Sequence, residues 1–94
     1  MKKLAAPVQV IEVPGEGLVG LLGKQVFIFT AGYFFTGLLS GVNSDDILLE
    51  NPSIVYETGP WTSAPKWADS QKLPTSSIYI KTGHIEAFFG VTSK

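Results

Sequence analysis

A chain of 94 residues with seven basic and eight acidic side chains, one histidine and no cysteine has room for one small domain with a limited core of its own. Its formal charge of −1, with every basic residue a lysine, excludes the bulk attraction that a strongly basic domain exerts on polyanions, so nucleic-acid contact has to come from a local patch. The lack of cysteine excludes a disulfide framework and a thiolate metal site and is compatible with a reducing cytoplasm, the compartment expected for the chain.

The N-terminus, MKKLAAPVQVIEV, begins like a signal peptide, but its apolar part is short and broken by Pro7, Gln9 and Glu12, so it reads as a mature N-terminus. Residues 1–17 are expected to form a tail and arm, within which Val8 to Val13 alternates as a short strand does. Pro14, Gly15 and Gly17 then force a turn. Leu18, Val19, Leu21 and Leu22 form an apolar cluster suited to one or two helical turns ending at Gly23 as a glycine cap. Gly17 and Gly20 each cost such a helix about 1 kcal/mol relative to alanine.

Gly23 to Glu50 holds the densest apolar run, uncharged from Gln25 to Ser44. A run of about 20 such residues is long enough to span a bilayer as a helix, and Gly37 and Gly41 make a GxxxG pair. Its Phe, Tyr, Thr, Val and Ile content fits a pleated sheet better. Gly32, Gly37 and Gly41 stand where strands want a turn and two bends. The strand reading places Val26 and Ile28 on one face of a first strand (Lys24 to Thr30), with Phe27 and Phe29 on the other. Both faces are apolar, so cover for the two phenylalanines is expected from the N-terminal segment or a neighbouring subunit. Phe34 to Asn43 forms a second strand bent at the glycines. Asn43 to Asp46 makes a tight turn. Ile47 to Glu50 is a third strand that Pro52 interrupts or marks as an edge, resuming at Ile54 to Glu57.

Residues 58–75 form a long variable loop, with Ser63 predicted to cap a short helix that has Pro65 in its first turn. Ser77 to Thr82 and Ile85 to Phe89 are a fourth and a fifth strand about a turn at Gly83. The single domain spans 18–90, and 91–94 is a C-terminal tail.

This order, and specific residues within it, resembles the Sm-like family of RNA-binding proteins, including its bacterial host-factor branch. The first family motif is matched by Gly23, Lys24, Val26, Ile28, Gly32, Gly37 and Leu39, then by Asn43 where the family usually has Asp, and by Ile47, Leu48 and Leu49. The second motif falls on Ile80, Lys81, Thr82, Gly83, His84 and Ile85, with Lys81 at the usual arginine, Thr82 at the glycine and His84 at the asparagine. The resemblance implies a mainly β fold: a small, strongly bent, five-stranded antiparallel barrel of SH3-like, Sm-like type behind a short N-terminal helix or arm. It also implies assembly into a cyclic homo-oligomeric ring. Free edge strands invite such pairing independently.

By the same resemblance, the loops after the second and fourth strands bind single-stranded RNA, or DNA, at the ring's pore. The residues at those positions are Asn43, Ser44 and Asp45, with Lys81 and His84. Lys81 would meet phosphate or a base edge, His84 would stack or donate, and Asn43 would bond a base. Asp45 stands where a stacking residue is usual, and with Asp46 it opposes the Lys81 charge. Turn chemistry alone also accounts for each of these residue types. Trp61 and Trp67, interleaved with Lys66 and Lys72, compose a secondary nucleic-acid surface of the kind that stacks bases at roughly 1 to 3 kcal/mol each. Their first role is expected to be structural, pinning the loop to the barrel or a neighbouring ring, and Tyr33 is read as packing.

Enzymatic chemistry lacks its parts. His84 has no cysteine and no Gly-x-Ser-x-Gly elbow to pair with. Asp45, Asp46 and Glu50 supply too few converging oxygens for a cation, and no phosphate-cradling glycine motif is present. No cofactor, metal or membrane partner is expected. The leading expectation is a non-enzymatic, ring-forming RNA-binding protein that processes or chaperones nucleic acid. The alternative is a homo-oligomeric small-barrel assembly or protein-interaction module without nucleic-acid binding, for which the missing arginines and the Asp45–Asp46 pair speak.

Overall fold

The computed structural model describes residues 16–91, so the arm expected at Val8 to Val13 lies outside the described residues. Gly23 to Glu50 is strand and turn throughout. Among the described residues no helix is long and apolar enough to cross a membrane. A 3₁₀ turn at Val19–Leu21 leads to Gly23, whose φ of 82° takes the left-handed conformation expected of a terminating glycine. Six strands follow: β1 (Gln25–Thr30), β2 (Phe34–Val42), β3 (Asp46–Glu57), β4 (Asp69–Lys72), β5 (Ser77–Lys81) and β6 (Ile85–Gly90). All pairings are antiparallel, in the order β4-β3-β2-β1-β6, with β5 also on β3.

The bends predicted at Gly37 and Gly41 coincide with breaks in the β2–β3 register, one between Thr36 and Leu38 and one between Leu39 and Gly41. A Cβ on Gly37 would sit 3.0 Å from the Glu50 carbonyl oxygen and 3.4 Å from Pro52 Cα. Only a glycine lets the two backbones come this close, and the closeness curls the sheet.

Pro52 does not interrupt β3. The strand runs unbroken for 12 residues, and Pro52 is buried within it. A missing N–H is harmless here because β3 changes partner at this point. Asp46 to Glu50 pairs with β5, and Ser53 to Glu57 pairs with β4. Asn51 absorbs the kink at φ 50°, its N–H donating to the Ser76 carbonyl at 2.9 Å, while the Pro52 carbonyl accepts from Leu73 N–H at 3.0 Å. β4 is therefore a sixth strand, lying inside the stretch expected to be loop. The helix expected after Ser63 is a 3₁₀ turn at Trp61–Ser63 instead. Ala64 precedes a proline and is held at ψ 143°, outside the helical region.

Val26, Ile28, Leu39, Ile47, Leu49 and Ile80 form the inner core, with Leu18, Leu21, Phe35, Ile85 and Phe88 packed around it. The outer face of β1 carries a second apolar layer. Phe27 is fully buried, its ring centroid 5.4 Å from Phe89, 5.7 Å from Phe34, 5.6 Å from Trp61 and 4.9 Å from Trp67. The cover expected from an N-terminal segment or another subunit thus comes from this chain's own inserted loop. Each aromatic pair adds roughly 0.5–1.5 kcal/mol to the area that it buries.

The close approach at Gly37 sets a stability prediction. Gly37→Ala is expected to cost about 1–3 kcal/mol by forcing the β2 and β3 backbones apart. Gly32→Ala, where a Cβ meets nothing within 4 Å, should stay within about 0.5 kcal/mol of the parent. Urea denaturation midpoints of the two variants give the comparison.

Candidate nucleic-acid interface

The register of β2 against β3 closes the hairpin at Ser44 and Asp45. Asn43 N–H donates to the Asp46 carbonyl at 2.8 Å, and Asn43 Nδ2 donates to Asp46 Oδ1, also at 2.8 Å. Asn43 is thereby committed to its own turn through both backbone and side chain. The Thr82–His84 turn between β5 and β6 docks on this hairpin. Thr82 N–H donates to the Asp45 carbonyl at 2.9 Å, and its hydroxyl lies 3.5 Å from the Ser44 carbonyl oxygen. Two turns nearly forty residues apart in the chain therefore form one ridge.

All five residues expected at this site are exposed, Ser44, Asp45, Lys81 and His84 along that ridge and Asn43 at its base. Asp46 and Lys81 are direct cross-strand partners, an opposite-charge pairing that favours the register. The ridge presents one ammonium group and one imidazole beside the Asp45 carboxylate.

An open groove of about 550 Å³ runs from His84 and Lys81 along the free edge of β5 to the β1–β2 turn, over Phe35, Ile78 and Ile80. Tyr33 and Tyr79 flank it, 59% and 66% exposed. Tyr33 was expected to pack; its ring meets only Phe35, at 6.3 Å among the described aromatic pairs. Tyr79 escaped notice, although the alternation Ser77, Tyr79, Lys81 on β5 marks it as an outward aromatic.

The tryptophans have a different setting. Trp61 and Trp67 meet edge to face, 6.0 Å apart, and both pack on Phe27, so the expected pinning of the loop falls on the barrel's own sheet. Trp61 remains 52% exposed, Lys66 and Lys72 are exposed, and Trp67 is half-buried. Lys72 lies on β4, paired with Ser53 just past the Pro52 kink of β3. The two candidate surfaces thus meet β3 on either side of the Asn51–Pro52 kink.

No protein-family model matches the chain, and no curated protein matches it by sequence. Its architecture does have counterparts among solved structures. The SmAP1 heptamer of P. aerophilum superposes with a TM-score of 0.62 at 15% identity, over 81% of this chain and 89% of that one. The Sm protein of Pyrococcus abyssii in complex with a uridine heptamer gives a TM-score of 0.58 at 18% identity, over 86% and 100%. The fold is the Sm fold. On the Sm fold the resemblance drawn from Gly23 to Leu49 and from Ile80 to Ile85 rests on matching strands: the first stretch is β1, β2 and the start of β3, and the second is the turn from β5 into β6.

The Asn43–Asp46 bond explains the asparagine at a position where the resemblance leads one to expect Asp. Asn43→Asp would bring two carboxylates to the 2.8 Å at which the amide now donates. It is expected to cost at least as much as Asn43→Ala, for which loss of one exposed hydrogen bond predicts about 0.5–1 kcal/mol. Urea denaturation at neutral pH orders the two variants.

Proposed function

We propose that this chain is a non-enzymatic, ring-forming protein that binds single-stranded RNA on the ridge made by the Asn43–Asp46 and Thr82–His84 turns. The observation that carries the reading is the Thr82-to-Asp45 backbone bond, which holds Lys81 and His84 beside Ser44 and Asp45 in one exposed group. Lys81 supplies charge for phosphate, and His84 supplies a flat ring and a donor for a base. Asn43, bonded within its turn, acts by shaping the ridge, and its carbonyl and neighbouring turn groups are what remain for a base. That one fold neighbour is a heptamer and the other holds a uridine heptamer supports the reading by analogy of fold. The setting that goes with it is cytoplasmic.

Assembly has its own support. Among the described residues β5 is paired only with β3, and β6 only with β1, so each leaves one edge open. The β5 edge is flanked by the apolar groove, and the β6 edge carries the half-buried Ile85 and Phe88. The two edges differ, so joining one to the other head to tail gives a heterologous interface that closes as a ring when the rotation permits. A ring repeats the ridge once per subunit about its axis, so a strand lying around it meets one site after another. Asp45 favours the rival reading, an assembly module without RNA, because it sets a carboxylate beside each Lys81.

Two measurements separate these. Fluorescence anisotropy with short U-rich and A-rich RNAs over a salt series is expected to show binding that weakens with salt. Lys81→Ala should lower the salt slope by about one, His84→Ala should cost roughly 1–3 kcal/mol, and Asp45→Asn should tighten binding. Binding weaker than high micromolar at low salt, and indifferent to Lys81→Ala, rules out the RNA reading. Light scattering is expected to find one closed oligomer, and a stable monomer at tens of micromolar rules out the ring.

A further inference from the structure

The outer face of the sheet holds a second groove, of about 470 Å³, that the ridge does not use. Its place follows from the pairing. Phe27 pairs with Thr36, Thr36 with Ser53, and Ser53 with Lys72, so the four side chains stand in one row on the same face. The aromatic layer covers the Phe27 end of that row. Trp67 is the boundary: its ring packs on Phe27 at 4.9 Å and also lines the groove. Beyond it the lining is polar at Gln25, Thr36, Ser53 and Ser70 and apolar at Pro65 and Val91.

The hydrogen-bonding state of these groups is informative. Thr36 Oγ1 donates to the Val26 carbonyl at 2.8 Å, which leaves its hydroxyl only an acceptor for anything in the groove. The side chains of Gln25, Ser53 and Ser70 engage in no hydrogen bond among the described residues. Among the described residues the groove therefore offers an amide that both donates and accepts, two hydroxyls without a partner and one acceptor beside an indole. Lys72 stands next to Ser53 on the same face. No acidic residue lines the groove among the described residues, in contrast to the ridge.

From this geometry we infer that the outer groove is a second binding site for a nucleobase of single-stranded RNA. The base lies against Trp67, its polar edge reaches Gln25, Ser53 and Ser70, and Lys72 meets the adjoining phosphate. The size suits one nucleotide. An aromatic wall with unengaged amide and hydroxyl groups is the composition that reads an unstacked base, and a neighbouring ammonium group favours its backbone. The inference rests on the RNA reading and gives the same RNA strand a second station, across the Asn51–Pro52 kink of β3 from the first.

The test uses the full chain with Trp61→Phe, which keeps an aromatic ring on Phe27 and leaves Trp67 as the sole tryptophan. Uridine and adenosine 5′-monophosphates are titrated against its fluorescence. A saturable change is expected that persists when Lys81→Ala and His84→Ala are added, and that weakens about tenfold or more on adding Gln25→Leu with Ser53→Ala, which removes two hydrogen-bonding groups from the groove. Unchanged thermal unfolding of the Gln25→Leu, Ser53→Ala protein, with a U-rich RNA salt slope that still falls on adding Lys81→Ala, shows that fold and ridge are intact. A change that vanishes with the Lys81 and His84 substitutions, or that ignores those at Gln25 and Ser53, overturns the second site. No change with either nucleotide, in a protein whose RNA binding still depends on Lys81, overturns it while leaving the ridge reading standing. No nucleotide response together with no RNA binding overturns both.

Discussion

The structure depends on the double burial of β1. Its six residues put Val26 and Ile28 into the barrel core and Phe27 into a layer on the opposite side, and all three are fully buried. Covering one side of a strand is what any curled sheet does. Covering both requires a second piece of chain, and here that piece is the insertion between β3 and β5, which lays Trp61 and Trp67 over Phe27 and runs its own short strand along β3. The barrel and the insertion thus share one wall, and neither can be displaced without opening a face of β1.

That arrangement separates two electrostatic environments on one small surface. At the Asp46 end of β3 the chain assembles lysine, histidine and aspartate on a ridge of two turns, where attraction and repulsion of phosphate stand side by side. Past the Pro52 kink, at Ser53, the groove beside Trp67 is lined by uncharged polar and apolar groups with Lys72 next to it. A chain with a net charge of −1 has no long-range pull on a polyanion, so the proposed contact with nucleic acid depends on how these few charges are distributed rather than on their sum.

Much of the barrel was legible because its signals are local. Period-two alternation marked Lys24 to Thr30, glycine spacing marked the bends of the second strand, and the Asn43 to Asp46 tetrad marked its turn. The errors lie where distant residues decide. Pro52 reads as a break unless one knows that the strand trades one partner for another there, which frees it from needing an N–H. Asp69–Lys72 is exposed at every position and carries no apolar alternation, so it is a strand only because Ser53 to Glu57 supplies a template. Cover for Phe27 could be foreseen as a need, but its source could not, since the tryptophans that meet it lie more than thirty residues on, in a stretch rich in proline. The ridge was found through motif positions, whereas the outer groove was not, because Gln25, Thr36, Ser53 and Ser70 are unremarkable singly and become a site only through the sheet register.

The exchange of partners along β3 bears on when the molecule becomes sticky. An open strand edge is a hazard while a chain is still folding, because any other extended segment can pair with it. Here β5 is held as a strand by Asp46 to Glu50, and the kink at Asn51 and Pro52 that lets β3 serve both β4 and β5 is itself tied down by bonds to Ser76 and Leu73. The edge beside the groove of Tyr33 and Tyr79 is thus a product of the finished domain, absent from the unfolded chain. In the proposed ring, self-recognition is deferred until each copy has closed its own core, so a partner meets a completed subunit and not a stray ribbon.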